Sequence, residues 1–259
     1  MSLRIAVLQL DYPDGETKRE RVTRVSRLVA DGPKADLVVL PELWDVGYFA
    51  FDDYATEAEP LVLGPAAALG LVAKERGCVV VGGSVLERDG DDLFNTTVVL
   101  GPDGDVLGSY RKMHLFAYGS SEGQLLTAGS EPVIVTTPVG RLGLSTCFDL
   151  RFPEQFADMR ADGADVMVVP AAWPSARTEH WRVLVQARAI ETQTPVIAVN
   201  GVGPCHGIEL AGASQIVSAR GSVILDAASA PGWHVGVVDT ADTGAWREEF
   251  PMREATRVG

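Results

Sequence analysis

The chain is expected to fold as a layered α/β protein with mixed sheets and helices outside. Apolar segments recur from residue 3 to residue 239 with no polar or low-complexity linker between them. That continuity favours one domain over residues 1–259. The order of elements begins βαβα and then mixes hairpins with βα units. No internal repeat of fixed period interrupts that order.

Residues 4–10 read as a short apolar strand, and residues 15–30 carry helical spacing through Val22, Val25, Leu28 and Val29. A second buried strand covers 36–40. Residues 64–76 form a helix that Gly77 should end, since glycine accepts the left-handed backbone there. Strands follow at 78–86 and 95–100. The turn Gly101-Pro-Asp-Gly104 leads into a hairpin partner over 106–115. Strands at 132–136 and 141–146 bracket Pro138 and Gly140. A helix over about 153–162 precedes a strand at 165–170. Trp181, Leu184, Val185, Arg188 and Ala189 give 175–192 a helical stripe. The remaining strands lie at 195–200, 213–218, 222–225 and 235–239.

Composition narrows the function. The net charge is −13, and no Lys/Arg cluster offers the basic face a nucleic-acid partner needs. The N-terminus enters a strand directly, without the basic and apolar regions of a signal peptide. The longest apolar runs are far shorter than the ~20 residues of a membrane span. Cys78, Cys147 and Cys205 lie too far apart for a zinc box or disulfide framework, and the four histidines lack metal-ligand spacing. The chain reads as soluble, cytosolic and metal-free.

Three strands end on a reactive side chain, where open α/β sheets bind ligands. Residues 37–42 end on the Glu42 carboxylate. Residues 109–116 carry the Lys112 ammonium, one of only four lysines among 22 basic residues. Residues 141–147 stop at Cys147, and Phe148-Asp-Leu-Arg-Phe-Pro-Glu154 then turns the chain toward a helix. Free backbone N–H groups at such an elbow are expected to lower the thiol pKa and to hold an oxyanion. A buried, inert cysteine is the plainer reading of the position alone. Together the three side chains offer a base, a cation and a nucleophile for attack on an amide carbonyl.

These segments resemble the signatures of a known family. Leu-Pro-Glu42-Leu, Tyr-Arg-Lys112-Met-His-Leu-Phe and Ser-Thr-Cys147-Phe-Asp-Leu-Arg-Phe-Pro-Glu are similar, in order and spacing, to those of the nitrilase or carbon–nitrogen hydrolase superfamily. Ser121-Glu122-Gly-Gln-Leu-Leu resembles the loop carrying that family's second glutamate. Pro170-Ala-Ala-Trp173-Pro and 179–191 resemble its segment after the cysteine. The resemblance spans roughly residues 4–240 and implies a four-layer α-β-β-α sandwich, built into homodimers or larger homo-oligomers.

It also implies a mechanism without cofactor. Glu42 takes the thiol proton and Cys147 attacks the amide carbon. Lys112 and the Phe148 backbone N–H hold the oxyanion, ammonia leaves, and water hydrolyses the thioester. Glu122 orients substrate or assists proton transfer. Cys147-Phe-Asp-Leu-Arg-Phe-Pro-Glu resembles the branch of omega-amidases and deaminated-glutathione amidases, which act on primary amides of small carboxylate-bearing molecules. Arg151 is then a candidate partner for a substrate carboxylate, or else an ion-pair partner of Asp149 or Glu154. Trp173 joins Phe148 and Arg151 as a candidate pocket residue.

Leu210-Ala-Gly212-Ala213-Ser214 and Asn200-Gly201-Val202 depart from the family pattern at candidate pocket positions. Cys78, expected mid-strand, and Cys205, expected in a loop, receive no catalytic part. Nitrile and N-carbamoyl hydrolysis stand as alternatives, as does an inert nitrilase-like binding module. A serine elbow at Gly119-Ser-Ser121-Glu-Gly123, with His206 or His234 as base, would need a strand before it and a helix after it. Gly201-Val-Gly203 lacks the third glycine of a dinucleotide loop.

Overall fold

The computed structural model describes residues 2–252. β1 (Ser2–Gln9) leads to α1 (Lys18–Ala30) and β2 (Leu37–Val39). The short α2 (Tyr54–Glu57) and α3 (Gly64–Arg76) precede the meander of β3 (Val79–Asp89), β4 (Asp92–Leu100) and β5 (Val106–Arg111). The one-turn α4 (Glu122–Leu125) is followed by β6 (Val133–Thr137), β7 (Gly140–Leu144), α5 (Pro153–Ala161) and β8 (Val166–Ala171). Next come α6 (Thr178–Thr192), β9 (Val196–Asn200), β10 (Val202–Cys205) and β11 (Ile208–Ala211). β12 (Gln215–Val217), β13 (Val223–Asp226), β14 (Gly232–Asp239) and α7 (Thr240–Glu249) complete the order.

Two six-stranded sheets result, ordered β14-β1-β2-β3-β4-β5 and β13-β12-β9-β8-β7-β6. Each has a parallel centre, β1–β2–β3 or β7–β8–β9, flanked by antiparallel strands. Side-chain alternation explains why these strands read as continuous apolar runs. In β1, Leu3, Ile5 and Val7 face the core shared by both sheets, while Ala6 and Leu8 face the helices. In β8, Val166 and Val168 point into the shared core, and Met167, Val169 and Ala171 point outward. Successive residues of a strand face opposite sides, so both registers must be apolar.

The helices form the outer layers. Val25 and Val29 of α1 pack with Leu69 and Ala73 of α3 over the first sheet. Phe156 and Met159 of α5 pack with Trp181, Val185 and Ala189 of α6 over the second. The layers therefore run α-β-β-α, as expected. Each fully buried Leu, Ile or Phe in them stabilises by about 1.5–3 kcal/mol. No helix among the described residues is long and apolar enough to cross a membrane.

Helix ends follow local chemistry. α1 starts at Lys18 rather than Gly15 because Thr17 and Glu20 form a reciprocal capping box. α3 ends at Gly77, which adopts the left-handed backbone at φ 61°. Three features escape periodicity. α7 buries only Thr243, so it has no apolar stripe to read. The Gly/Pro-rich segment around Pro204 forms the two-stranded ribbon β10–β11 instead of a loop, and Cys205 ends its first strand. Cys78 lies just ahead of β3 rather than within a strand.

Gly83 connects this frame to the site. It sits at φ 65° beside a register shift in β3, and a Cβ there would collide with the Pro41 carbonyl oxygen. Ser84 N–H donates to that carbonyl at 3.1 Å, and Ser84 Oγ accepts from Leu43 N–H at 3.0 Å. Only glycine lets β3 press against the loop carrying Glu42. Gly83→Ala is expected to lower stability by about 1–3 kcal/mol, measured by urea denaturation. An unchanged midpoint would show that the loop yields without strain.

Candidate active site

Four strand ends converge on one buried cluster. Glu42 follows β2 by three residues, Lys112 directly follows β5, and Cys147 lies three residues past β7. Ala172 follows β8 and supplies a backbone N–H. Lys112 was expected within a longer strand over 106–115. β5 instead stops at Arg111, which frees Lys112 to turn inward.

The Lys112 ammonium is at the centre. Its Nζ donates to Glu42 Oε1 at 2.8 Å and to Glu122 Oε1 and Oε2 at 2.8 and 3.0 Å. All three side chains are fully buried. Asn95 Nδ2 donates to both carboxylates, at 2.8 Å to Glu42 and 3.1 Å to Glu122. The other Glu122 oxygen accepts from Tyr48 Oη–H at 3.0 Å and Phe116 N–H at 2.6 Å. Burial by itself would lower the Lys112 pKa, but the Glu122 and Glu42 carboxylates outweigh it and hold the ammonium well above its usual value.

Glu42 faces both Lys112 and Cys147. Its Oε2 accepts from Ala172 N–H at 2.8 Å, and Ala172 lines the same cleft as Cys147. Burial pushes its pKa above the usual carboxylate range; Lys112 opposes that rise and Glu122 adds to it. Tyr12 Oη–H donates to the Glu42 backbone carbonyl at 3.1 Å and fixes the loop from behind.

Cys147 adopts φ 49° between the extended Thr146 and a short 3-10 turn over Cys147–Arg151. A non-glycine residue in that region carries about 1–3 kcal/mol of strain. The turn is clamped by Asp149. Its carboxylate accepts from Thr146 N–H at 2.8 Å, Tyr110 Oη–H at 2.7 Å and His114 N–H at 3.0 Å, and lies 2.7 Å from His114 Nδ1. His114 in turn stacks on Phe152, with ring centroids 3.6 Å apart. The backbone elbow is therefore bound to the chain segment that carries Lys112.

The thiol corrects one expectation. The elbow was expected to lower the Cys147 pKa, yet burial, followed by the field of Glu42, pushes it well up. Lys112 and the Ala172 N–H act in the opposite direction without prevailing. The resting thiol therefore keeps its proton.

Cys147 lies on a cleft of about 340 Å³ lined mainly by aromatic rings and two arginines. Phe148, Arg151 and Trp173, read from the sequence, all line it; Tyr48, Phe49, Phe116 and Arg177 were missed. The aromatic run Tyr48-Phe-Ala-Phe51 just after Glu42 was an available signal for the first two. Arg151 makes no ion pair with Asp149 or Glu154 among the described residues. Its guanidinium lies 4.7 Å from the Trp173 ring centroid.

Two other expectations change. The departures at 200–202 and 210–214 do not line the cleft. Asn200 instead braces Trp173, accepting from its N–H at 2.7 Å and donating to its carbonyl at 3.2 Å. Ser214 donates to Gln9 Oε1 at 2.8 Å. The serine elbow at Ser121 has neither a preceding strand nor a long helix after it, and His206 lies on the exposed β10–β11 turn.

The carbon–nitrogen hydrolase family profile matches residues 4–248. The chain belongs to the carbon–nitrogen hydrolase family. It is 37% identical over 233 residues to 2-oxoglutaramate amidase of Paenarthrobacter nicotinovorans, covering 87% of this chain and 79% of that one. It is 33% identical over 262 residues to 2-oxoglutaramate amidase of Bacillus subtilis, covering 99% and 98%. A mutant of the amidase from Nesterenkonia sp. AN1 superposes with TM-score 0.84 at 25% identity, covering 98% and 96%. In that structure the acetamide moiety of fluoroacetamide is covalently added at the active site cysteine.

Lys112 compensates two buried carboxylates at once. Lys112→Met is expected to lower stability by about 3–5 kcal/mol, because unpaired buried charge is left behind. Chemical denaturation measures it; a loss below ~1 kcal/mol would show that solvent reaches the carboxylates.

Proposed function

We propose that the protein hydrolyses the C–N bond of a small primary amide that also carries a carboxylate. The observation that carries this reading is the Glu42 carboxylate, held by Lys112 and by the N–H of Ala172, which lines the same cleft as Cys147, so that its charge acts on the thiol. Glu42 takes the thiol proton as sulfur attacks the amide carbon. The negative charge moves to the carbonyl oxygen, near the Lys112 ammonium and the Phe148 backbone N–H. Phe148 N–H has no protein acceptor among the described residues, so it is free to donate to that oxygen.

The tetrahedral adduct collapses as Glu42 returns the proton to the leaving nitrogen. Ammonia departs and a Cys147 thioester remains. Water, deprotonated by Glu42, adds to the thioester carbon; the carboxylic acid leaves and the thiol regains its proton. Glu122 keeps Lys112 and the Phe116 backbone in place through its hydrogen bonds, so we assign it a positioning part in proton transfer. The amidase names of the relatives and the cysteine adduct in the Nesterenkonia enzyme support amide chemistry. Arg151, without a carboxylate partner of its own, supports an acidic substrate.

Ammonia release from glutaramate, the monoamide of a five-carbon diacid, tests this. Cys147→Ala is expected to abolish release, and Glu42→Gln to lower it about 10²–10⁴-fold. Persisting release in Cys147→Ala would overturn the proposal. The pH dependence follows from the Glu42 environment. The base form is required and its pKa is raised, so activity should fall as pH drops through a midpoint above about 4.3, the free glutamate value. A midpoint at or below that value would remove Glu42 as the base.

A further inference from the structure

We propose that Arg177 is a second specificity-determining residue, forming with Arg151 a two-armed clamp on one substrate carboxylate, and that Trp173 sets the spacing of the arms. The inference rests on the amide-hydrolase reading of Cys147 and specifies how its acidic substrate is selected.

The two arginines reach the cleft from different segments. Arg151 ends the turn that begins with Cys147, and Arg177 ends the 3-10 turn Ser175–Arg177 after β8. Both are half-buried and both line the cleft. Neither meets a carboxylate among the described residues. Arg151 reaches only His180 Nδ1, at a long 3.4 Å, and the Arg177 guanidinium lies over the Phe116 ring at 5.5 Å without a polar partner.

The other arginines that are not exposed all have oxygen partners: Arg21, Arg24, Arg111, Arg182 and Arg188 pair with acids, and Arg76, Arg88, Arg160 and Arg247 donate to backbone carbonyls. The net charge is −13, so acids are plentiful. No carboxylate lines the cleft among the described residues, and the buried Glu42 and Glu122 are already bound by Lys112. Burial, followed by repulsion from Arg177, disfavours the charge on Arg151. Two like charges held together at a half-buried mouth are relieved by an anion that touches both.

Trp173 connects the arms physically. Its indole N–H donates to the Arg177 backbone carbonyl at 2.8 Å, while its ring lies beneath the Arg151 guanidinium. Ala211 N–H and Asn200 fix the Trp173 backbone from below. Much of the remaining cleft lining is apolar, from Phe49, Phe116, Phe148 and Pro174. The cleft thus suits a short hydrocarbon chain with an amide at one end and a carboxylate at the other.

Calorimetric binding to the Cys147→Ala protein tests the clamp without turnover. Glutaramate is compared with pentanamide, which matches its length but lacks the carboxylate. Adding Arg177→Gln should reduce the affinity ratio of glutaramate to pentanamide by about tenfold or more. Arg177→Lys should restore only part of it, since a point charge replaces the fork. Trp173→Phe keeps the ring and removes the N–H donor, and should lower the same ratio by a smaller factor. An unchanged ratio in Arg177→Gln, equal weakening of both ligands, or no glutaramate binding to Cys147→Ala would overturn the proposal. Arg177-dependent binding, together with no ammonia release from glutaramate by the protein that retains Cys147, would support the clamp and instead overturn the hydrolase reading.

Discussion

The Lys112 ammonium, buried between the Glu42 and Glu122 carboxylates, is the interaction on which the rest of the site depends. An ammonium taken fully out of water is tolerated only when its hydrogen-bonding capacity is met. Glu42 and Glu122 meet it with contacts of 2.8 to 3.0 Å. The acids in turn need Lys112, Asn95, Tyr48 and backbone N–H groups. Glu42, Asn95 and Lys112 come from separate stretches of the first sheet and Ala172 from the second, so the complete cluster forms only when both sheets are assembled. Fold and site are therefore a single constraint: the apolar sandwich creates the dry volume, and the charge cluster fixes which strand ends meet there.

That constraint also sets the chemistry at Cys147. A thiol in an electropositive, solvated elbow would rest as thiolate. Here burial and the Glu42 charge keep it protonated. In the proposed reaction the nucleophile is generated only when a base removes that proton, and Glu42, whose charge already acts on the thiol, is that base. Backbone strain at φ 49° and the Asp149 clamp hold the sulfur at the elbow while this occurs. Protonation chemistry and backbone geometry thus serve the same step.

Much of this was legible in the chain. Core strands such as Leu37–Val39 announce themselves because both faces are apolar. Glu42, Lys112 and Cys147 stand out because each follows such a strand, and Glu122 because its loop resembles a known motif. The cleft walls were harder to read. Arg177 looks like any surface arginine until the missing carboxylate partner is seen, and Asn95 lies in a strand without any local signal. Asp149 and His114 adjoin the key residues in sequence, but their mutual contact joins positions 35 apart. The elbow suggested a low thiol pKa because sequence displays the nearby N–H donors and hides the depth of burial. α7 and the β10–β11 ribbon lack the apolar periodicity that reveals the larger elements.

Intact-protein mass spectrometry after rapid acid quench tests the central claim most directly. Protein mixed with glutaramate should gain the mass of the amide minus ammonia, and peptide mapping should place that acyl group on Cys147. The Glu42→Gln protein should gain it more slowly. An acyl group on another residue, or turnover with no acyl-enzyme and an unmodified Cys147 at every quench time, would contradict the thioester route.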